Sequence, residues 1–287
     1  MNHSEITFRP GRSSDAEATA KICFDAFTDI NLQHGFAPDF KAPEMTLGFM
    51  KMILENPHVI SVVAEKSGKI VGSNFLWEGA IGGIGPITVD QTIQDKGVGR
   101  QLMEYLLQQA EQRHMAGTRL VQAAFNRRSL SLYTKLGFNV REPLACLQGT
   151  PIHEKIPGHE VRKMSEADID ACCDVCTRIH GHDRRGELFV GIAQKTALVV
   201  EHAGRITGYA TDIGLFGHTV AMNNIDLMAL IAAADQISGP GFLLPMRNGE
   251  IFRWCLSHGL RMVQPMTLMS RGLYNEPQGS FLASILF

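Results

Sequence analysis

Apolar residues recur along this chain at two periods. Val98, Leu102, Leu106 and Ala110 fall four apart, with Met103 and Leu107 beside them. That spacing gives one apolar face to a helix running from Gly97 towards His114. Ala18, Ile22 and Ala26, flanked by Cys23 and Phe27, predict another helix from about Asp15. A looser helical region covers residues 28 to 57, most clearly from Met45 to Leu54. Shorter apolar runs read as strands. Ile6 to Arg9 is the first; His58 to Glu65 and Ile70 to Glu78, joined through Ser67-Gly68, form a hairpin. Ile87 to Asp90 reads as a strand end and Arg119 to Phe125 as the following strand.

The pattern then repeats. Glu201 to Gly208 parallels Glu65 to Gly72, and Arg162 and Asp168 stand at the spacing of Arg9 and Asp15. Asn248 and Gly259-Leu260 are spaced like Asn126 and Gly137-Phe138. Three matches in one order predict a second copy of the same unit. The expected division is a first domain over 1–149, a linker over 150–159 containing Pro151 and Pro157, and a second domain over 160–287.

Composition narrows the class. The chain has 287 residues, is 45% hydrophobic and 20% charged, and carries a net charge of −2. This is ordinary globular material without a basic block, so neither a nucleic-acid nor an anionic-membrane partner is indicated. The polar start of the chain opens no signal peptide, and no apolar run approaches the ~18 residues of a membrane span. A cytoplasmic location is the expectation. The six cysteines show no regular spacing that would indicate disulfides. Cys172, Cys173 and Cys176, near His180 and His182, invite a metal reading. They fall in a helical pattern where cysteine serves as a small hydrophobe, whereas zinc ligands come in pairs from separated turns. No metal is expected.

The chemistry concentrates between Gly85 and Phe138. Gly97 and Gly99 allow a tight turn and close approach of a ligand to the backbone. They lead into a helix whose first N–H groups lack partners and favour an anion, with Lys96 and Arg100 adding charge. The same glycines also suit a plain strand-to-helix turn. A dinucleotide fingerprint fits poorly, because Leu102 stands where a third glycine belongs, and no Gly-Lys-Ser/Thr loop is present.

Val89-Asp90 followed by Gln94-x-x-Gly97-x-Gly99, and then Asn126-x-x-Ser129-Leu130-x-Leu132-Tyr133-x-Lys135-Leu136-Gly137-Phe138, resembles the GNAT superfamily of N-acetyltransferases. The resemblance implies an α+β fold, two GNAT units in tandem, each a mixed central sheet flanked by helices. It implies acetyl-coenzyme A as co-substrate. The backbone of Val89 would pair with the pantetheine arm, and the amides from Gln94 through Lys96, Gly97, Val98 and Gly99 to Arg100 would hold the pyrophosphate. Asn126 and Ser129 would line the arm, and Tyr133 would be the general acid. Tyr133 also suits a core position on an amphipathic helix. Many relatives carry a glutamate on the strand before Val89 as general base; here Gly82 to Pro86 offers no carboxylate. Glu78, a water chain and a group from the second half stay open for that role. His34 is a further acceptor contact to weigh. In the second copy Ala221 to Leu227 replaces the glycine loop and Cys255 replaces Tyr133, so that copy is expected to be degenerate.

The expected activity is therefore transfer of an acetyl group from acetyl-coenzyme A to a primary amine, most simply a small molecule, by direct attack in the first domain. A non-catalytic acetyl-coenzyme A sensor is the alternative. The oligomeric state is open, a homodimer included.

Overall fold

The computed structural model describes residues 6–286. The first half runs β1 (Ile6–Pro10), α1 (Ala16–Gln33), α2 (Pro43–Glu55), β2 (Val59–Lys66), β3 (Lys69–Trp77), β4 (Gly82–Ile84), β5 (Thr88–Val89), α3 (Val98–Gln112), β6 (Gly117–Ala123), α4 (Arg127–Lys135) and β7 (Asn139–Gln148). The second half follows the same order with one strand where the first has β4 and β5: β8 (His159–Lys163), α5 (Ile169–His180), α6 (Arg185–Ala193), β9 (Leu198–His202), β10 (Arg205–Ala210), β11 (Thr219–Ala221), α7 (Asn224–Ala232), β12 (Phe242–Pro245), α8 (Gly249–Ser257) and β13 (Arg261–Gly272). One strand, β14 (Ser280–Leu282), follows it.

The periodicity maps directly onto burial. Val98, Leu102, Met103, Leu106, Leu107 and Ala110 of α3 are all buried. They pack on β2, β3 and β6 through Val62, Leu76 and Leu120, with Phe138 in the same cluster. On the opposite face, Cys23 of α1 and Met50 and Ile53 of α2 cover Phe75. The cysteines of α5 behave as small hydrophobes: Cys172 and Cys176 are fully buried among Ile169, Ile179 and Val199. Burial pushes the Cys172 thiol up to about 12.

The repeat extends to individual hydrogen bonds. Arg9 grips Asp15 with both Nη atoms, at 2.8 and 2.9 Å, and donates from Nε to Glu65 at 3.0 Å. Arg162 does the same with Asp168, at 2.8 and 2.7 Å, and with Glu201 at 2.8 Å. Each fork ties the first strand of its copy to the following helix and to the neighbouring strand. The guanidinium holds the Asp15 carboxyl below the usual carboxylate range, and Asp168 in the same way.

Pairing in the sheets crosses the expected division at residues 150–159. β13, from the second half, lies between β6 and β7 of the first, antiparallel to both. Reciprocally, β7 lies between β13 and β12 of the second half. The central order is thus β6-β13-β7-β12. β7 is buried on both faces: Leu144 and Cys146 face one core and Ala145 and Leu147 another. That accounts for the unbroken apolar run Leu144-Ala145-Cys146-Leu147.

The copies differ at one opening. In the first half β4 pairs in parallel with β6 at Gly82–Thr118 and Gly83–Arg119. Beyond Pro86 the chain continues as β5, which pairs only with β3, so β5 and β6 diverge. In the second half the corresponding gap is filled. β14 pairs with β11 from Thr219–Leu282 to Ala221–Ser280 and bridges to β12 at Leu243–Ala283. Ser280 Oγ donates to Asn224 Oδ1, which also accepts from Asn248 Nδ2 at 2.8 Å. Asn248 is the counterpart of Asn126.

Two outcomes are expected. Residues 1–149 produced alone lose the strand between β6 and β7 and should fail to give a cooperatively unfolding monomer. Size exclusion and thermal melts check this; a monodisperse fragment with a sharp transition would show that β6 and β7 can pair without β13. Gly279→Ala places a Cβ against Ile179 Cδ1 and 2.7 Å from the Ala221 carbonyl. It should cost about 1–3 kcal/mol and lower the Tm.

Candidate functional site

The divergence of β5 and β6 opens a cleft of about 530 Å³. Its walls come from α1, β5, the loop into α3, and the start of α4. Backbone direction makes it more than a void. The Asp90 N–H donates to the Val71 carbonyl at 2.9 Å, across to β3. Alternate residues of an antiparallel strand turn their polar groups to opposite edges, so the N–H and C=O of Val89 face the cleft. Gln94 Nε2 donates to the Val89 carbonyl at 3.2 Å.

The loop into α3 is shaped by two residues in the left-handed region, Asp95 at φ 64° and Gly97 at φ 80°. Gly97 is the N-cap of α3. A residue with a Cβ is strained there, which gives the glycine a local reason. The first amides of α3 are left without helical partners and open on the cleft at Gly97, Val98 and Gly99. Arg128, from the first turn of α4, closes the other side. It forms an ion pair with Asp95 and donates to Gln94 Oε1 at 2.9 Å. Arg100, Arg127, Arg128 and Lys135 line an adjoining groove, giving the loop a basic rim.

α4 delivers the remaining residues. Asn126 caps it, its Oδ1 accepting from the Ser129 N–H at 3.2 Å. Ser129 and Tyr133 follow one turn apart and both line the cleft. Tyr133 is 5% exposed and packs edge-on against Phe138 at 6.2 Å. Its ring belongs to the core, and the residue also lines the cleft. Burial pushes its phenol up to about 12, with the Ser129 side chain pulling partly the other way.

Of the residues expected here, Val89, Gln94, Gly97, Val98, Gly99, Arg100, Asn126, Ser129 and Tyr133 line this one cleft. Two do not. Lys96 is exposed and lies outside the lining. Glu78 requires a correction: it follows the far end of β3, beside Gly82 and Gly83, whereas Val89 pairs with Gly72. Six residues of strand at ~3.3 Å each put it roughly 20 Å from Val89. Arg113, just past the far end of α3, holds its carboxylate at 3.0 Å. His34 is exposed, its ring 5.1 Å from that of Phe125.

The sequence reading missed Arg128 and the contribution of α1. Phe27, Asp29, Ile30 and Gln33 form a stripe of α1 along the cleft. The i, i+3, i+4 spacing of Ala26, Asp29 and Ile30 was a signal, masked by the stronger core stripe through Ala20 and Cys23.

Fold and cleft together define a two-copy α+β protein whose first copy opens a strand edge beside a glycine-capped helix. Residues 25–138 match the model of the acetyltransferase (GNAT) family. No curated protein sequence matches the chain. Among solved structures, a candidate acetyltransferase from Pyrococcus horikoshii aligns over 98% of this chain and 93% of its own, at TM-score 0.74 and 16% identity. A GCN5-related N-acetyltransferase from Sphaerobacter thermophilus aligns over 94% and 96%, at 0.62 and 14%. A tandem GNAT protein from the clavulanic acid biosynthesis pathway aligns over 93% and 98%, at 0.55 and 11%. All three likenesses span both copies, so the tandem fold is shared. Among the described residues, no helix is long and apolar enough to cross a membrane.

Gly97→Ala tests the cradle. Forcing alanine into the left-handed region costs about 1–2 kcal/mol. Calorimetric titration with coenzyme A should show roughly tenfold weaker binding; unchanged affinity would mean that the loop does not carry the ligand.

Proposed function

We propose that the first copy transfers an acetyl group from acetyl-coenzyme A to a primary amine. The observation that carries this reading is the open edge of β5. It presents the Val89 N–H to the cleft between a helix N-terminus with a basic rim and a buried tyrosine. A ligand with a polar, amide-bearing arm and a pyrophosphate matches all three. The arm adds to β5 as a strand would, and the pyrophosphate meets the amides of Gly97 to Gly99. Arg100, Arg127, Arg128 and Lys135 supply charge to the remaining phosphate groups.

The chemistry follows from the donors in place. The ammonium form of the amine gives one proton to water, its lone pair forms the C–N bond at the thioester carbonyl, and the nitrogen gives a second proton to water as the tetrahedral centre collapses. The Val89 N–H supports the developing oxyanion. The C–S bond then breaks and the sulfur takes up one proton, leaving amide and free thiol. Tyr133 donates to that sulfur. With a phenol near 12 against a thiol near ~8.5, complete transfer to a free thiolate runs uphill by about 5 kcal/mol. Tyr133 therefore acts as a hydrogen-bond donor to the sulfur while the bond breaks, and the thiolate takes its proton from solvent. The second copy supports β6 and contributes no chemistry.

The lack of a carboxylate on the strand before Val89 favours the second reading, a non-catalytic acyl-coenzyme A binder. Thiol release from acetyl-coenzyme A over a panel of amines separates the two. Turnover is expected, with kcat lowered about 100-fold or more in Tyr133→Phe. Coenzyme A binding without turnover on any amine would favour the binder.

The pH dependence has a definite sign. Tyr133 must stay protonated to donate, and it does so up to about 12. kcat/KM should rise with pH as the amine loses its proton, with no fall attributable to Tyr133 below pH ~10. A descending limb between pH 7 and 9 that disappears in Tyr133→Phe would contradict this assignment.

A further inference from the structure

With Glu78 remote, the cleft still needs a group that handles the acceptor. Among the described residues, the carboxylates lining it are Asp29 and Asp95. Asp95 belongs to the loop and is paired with Arg128. Asp39, on the segment after α1, is turned to Gln264 of β13 at 3.0 Å and does not line the cleft. Asp29 remains.

Its position over the gap is fixed at both ends of α1. Gln91, just beyond β5, donates to the Asp25 carbonyl at 3.4 Å. Just past the C-terminus of α1, the rings of His34 and Phe36 lie against Phe125, beyond the end of β6. The last turns of α1 therefore span from one diverging strand to the other. Asp29 falls between, about 6 Å along the axis from Asp25 and about 7.5 Å from His34. It is half-buried, and its Oδ2 accepts from Gln33 Nε2 at 2.5 Å. Lys21, the nearest cation on this helix, is bound one turn earlier by Asp25. Phe27, Ile30 and Ile87 make the cleft around Asp29 apolar.

We propose that Asp29 is the acceptor-specificity residue of this cleft. It receives the ammonium group of a primary amine carried on an apolar body, and it disfavours amines that bear a carboxylate beside the amino group. The proposal rests on the acetyl-transfer reading above and deepens it. Asp29 positions the acceptor. It holds the ammonium group by charge and hydrogen bonding, and the proton that the ammonium gives up goes to water.

The test uses the full chain, acetyl-coenzyme A, and phenethylamine beside phenylalanine as acceptors within the amine panel. Wild type is expected to turn over phenethylamine in preference to phenylalanine. Asp29→Asn should raise the KM for phenethylamine about 10- to 100-fold, the scale of one charge-assisted hydrogen bond. Calorimetric affinity for coenzyme A should stay within twofold, and Asp29→Glu should recover most of the loss. In wild type the phenethylamine KM should also rise several-fold between 50 and 500 mM salt, a reading that needs no variant to fold. An unchanged amine KM in a folded Asp29→Asn, or a salt-independent KM, would overturn the assignment. Turnover of other amines but not of phenethylamine would overturn the apolar acceptor class. Coenzyme A binding with no turnover on any amine would sink the acetyl-transfer reading itself, and Asp29's role with it.

Discussion

Everything at the centre of this molecule follows from one constraint: a strand edge inside a folded protein must find partners for its N–H and C=O groups. Where β4 gives way to β5, the first copy stops pairing with β6, and the edge at Val89 is left to the Gln94 side chain and to the cleft. The second copy meets the same demand differently. There β14 lies against β11 and bridges to β12, closing the gap with the chain's own backbone. One edge is open beside a glycine-capped helix; the other is filled beside α7, which begins directly at Asn223 with no loop comparable to residues 91–97. Loss of the loop and filling of the gap are parts of one change, since a closed edge has no ligand for a cradle to hold.

The same constraint explains why the two halves share a sheet. β6 carries the site: its last residues lead to Asn126 and α4, and hence to Ser129 and Tyr133. Its far edge is not closed by its own copy. β13 closes it over seven residue pairs, from Met266–Ala123 to Gly272–Gly117. Side chains reinforce that seam. Arg271 donates to Glu111 at 2.9 Å, and Gln264 donates to Asp39 on the segment that follows α1. The second copy is thus a structural part of the first copy's cleft, even though Cys255 stands where Tyr133 would be.

How much of this could be read from the sequence depended on whether the signal was local. The α3 stripe, the Ser67-Gly68 hairpin and the glycine loop are each written within about fifteen residues, and each was legible. The repeat was legible because the Arg9–Asp15 fork recurs at the same spacing as Arg162–Asp168. Pairing between distant segments was not, because period-2 alternation states that a strand exists without naming its neighbour. The exchange of β7 and β13, and the insertion of β14, are of that kind. Glu78 illustrates the same limit. It was close to Val89 in sequence and carried the right functional group, but the hairpin geometry sends the end of β3 away from β5 and into reach of Arg113.

The cleft is electrically graded, and this orders its parts. Arg100, Arg127, Arg128 and Lys135 gather around the loop and the face of α4, with Asp95 engaged by Arg128. Asp29 stands on α1 over the gap, among Phe27, Ile30 and Ile87. Tyr133 lines the same cleft with a neutral phenol. A low-dielectric wall strengthens each interaction over its value in water. An anionic ligand is drawn to the basic end, and a cation finds its only unclaimed carboxylate among the described lining residues at Asp29. A phenol held near 12 adds no charge of its own, so the gradient stays fixed across the pH range in which amines shed their protons.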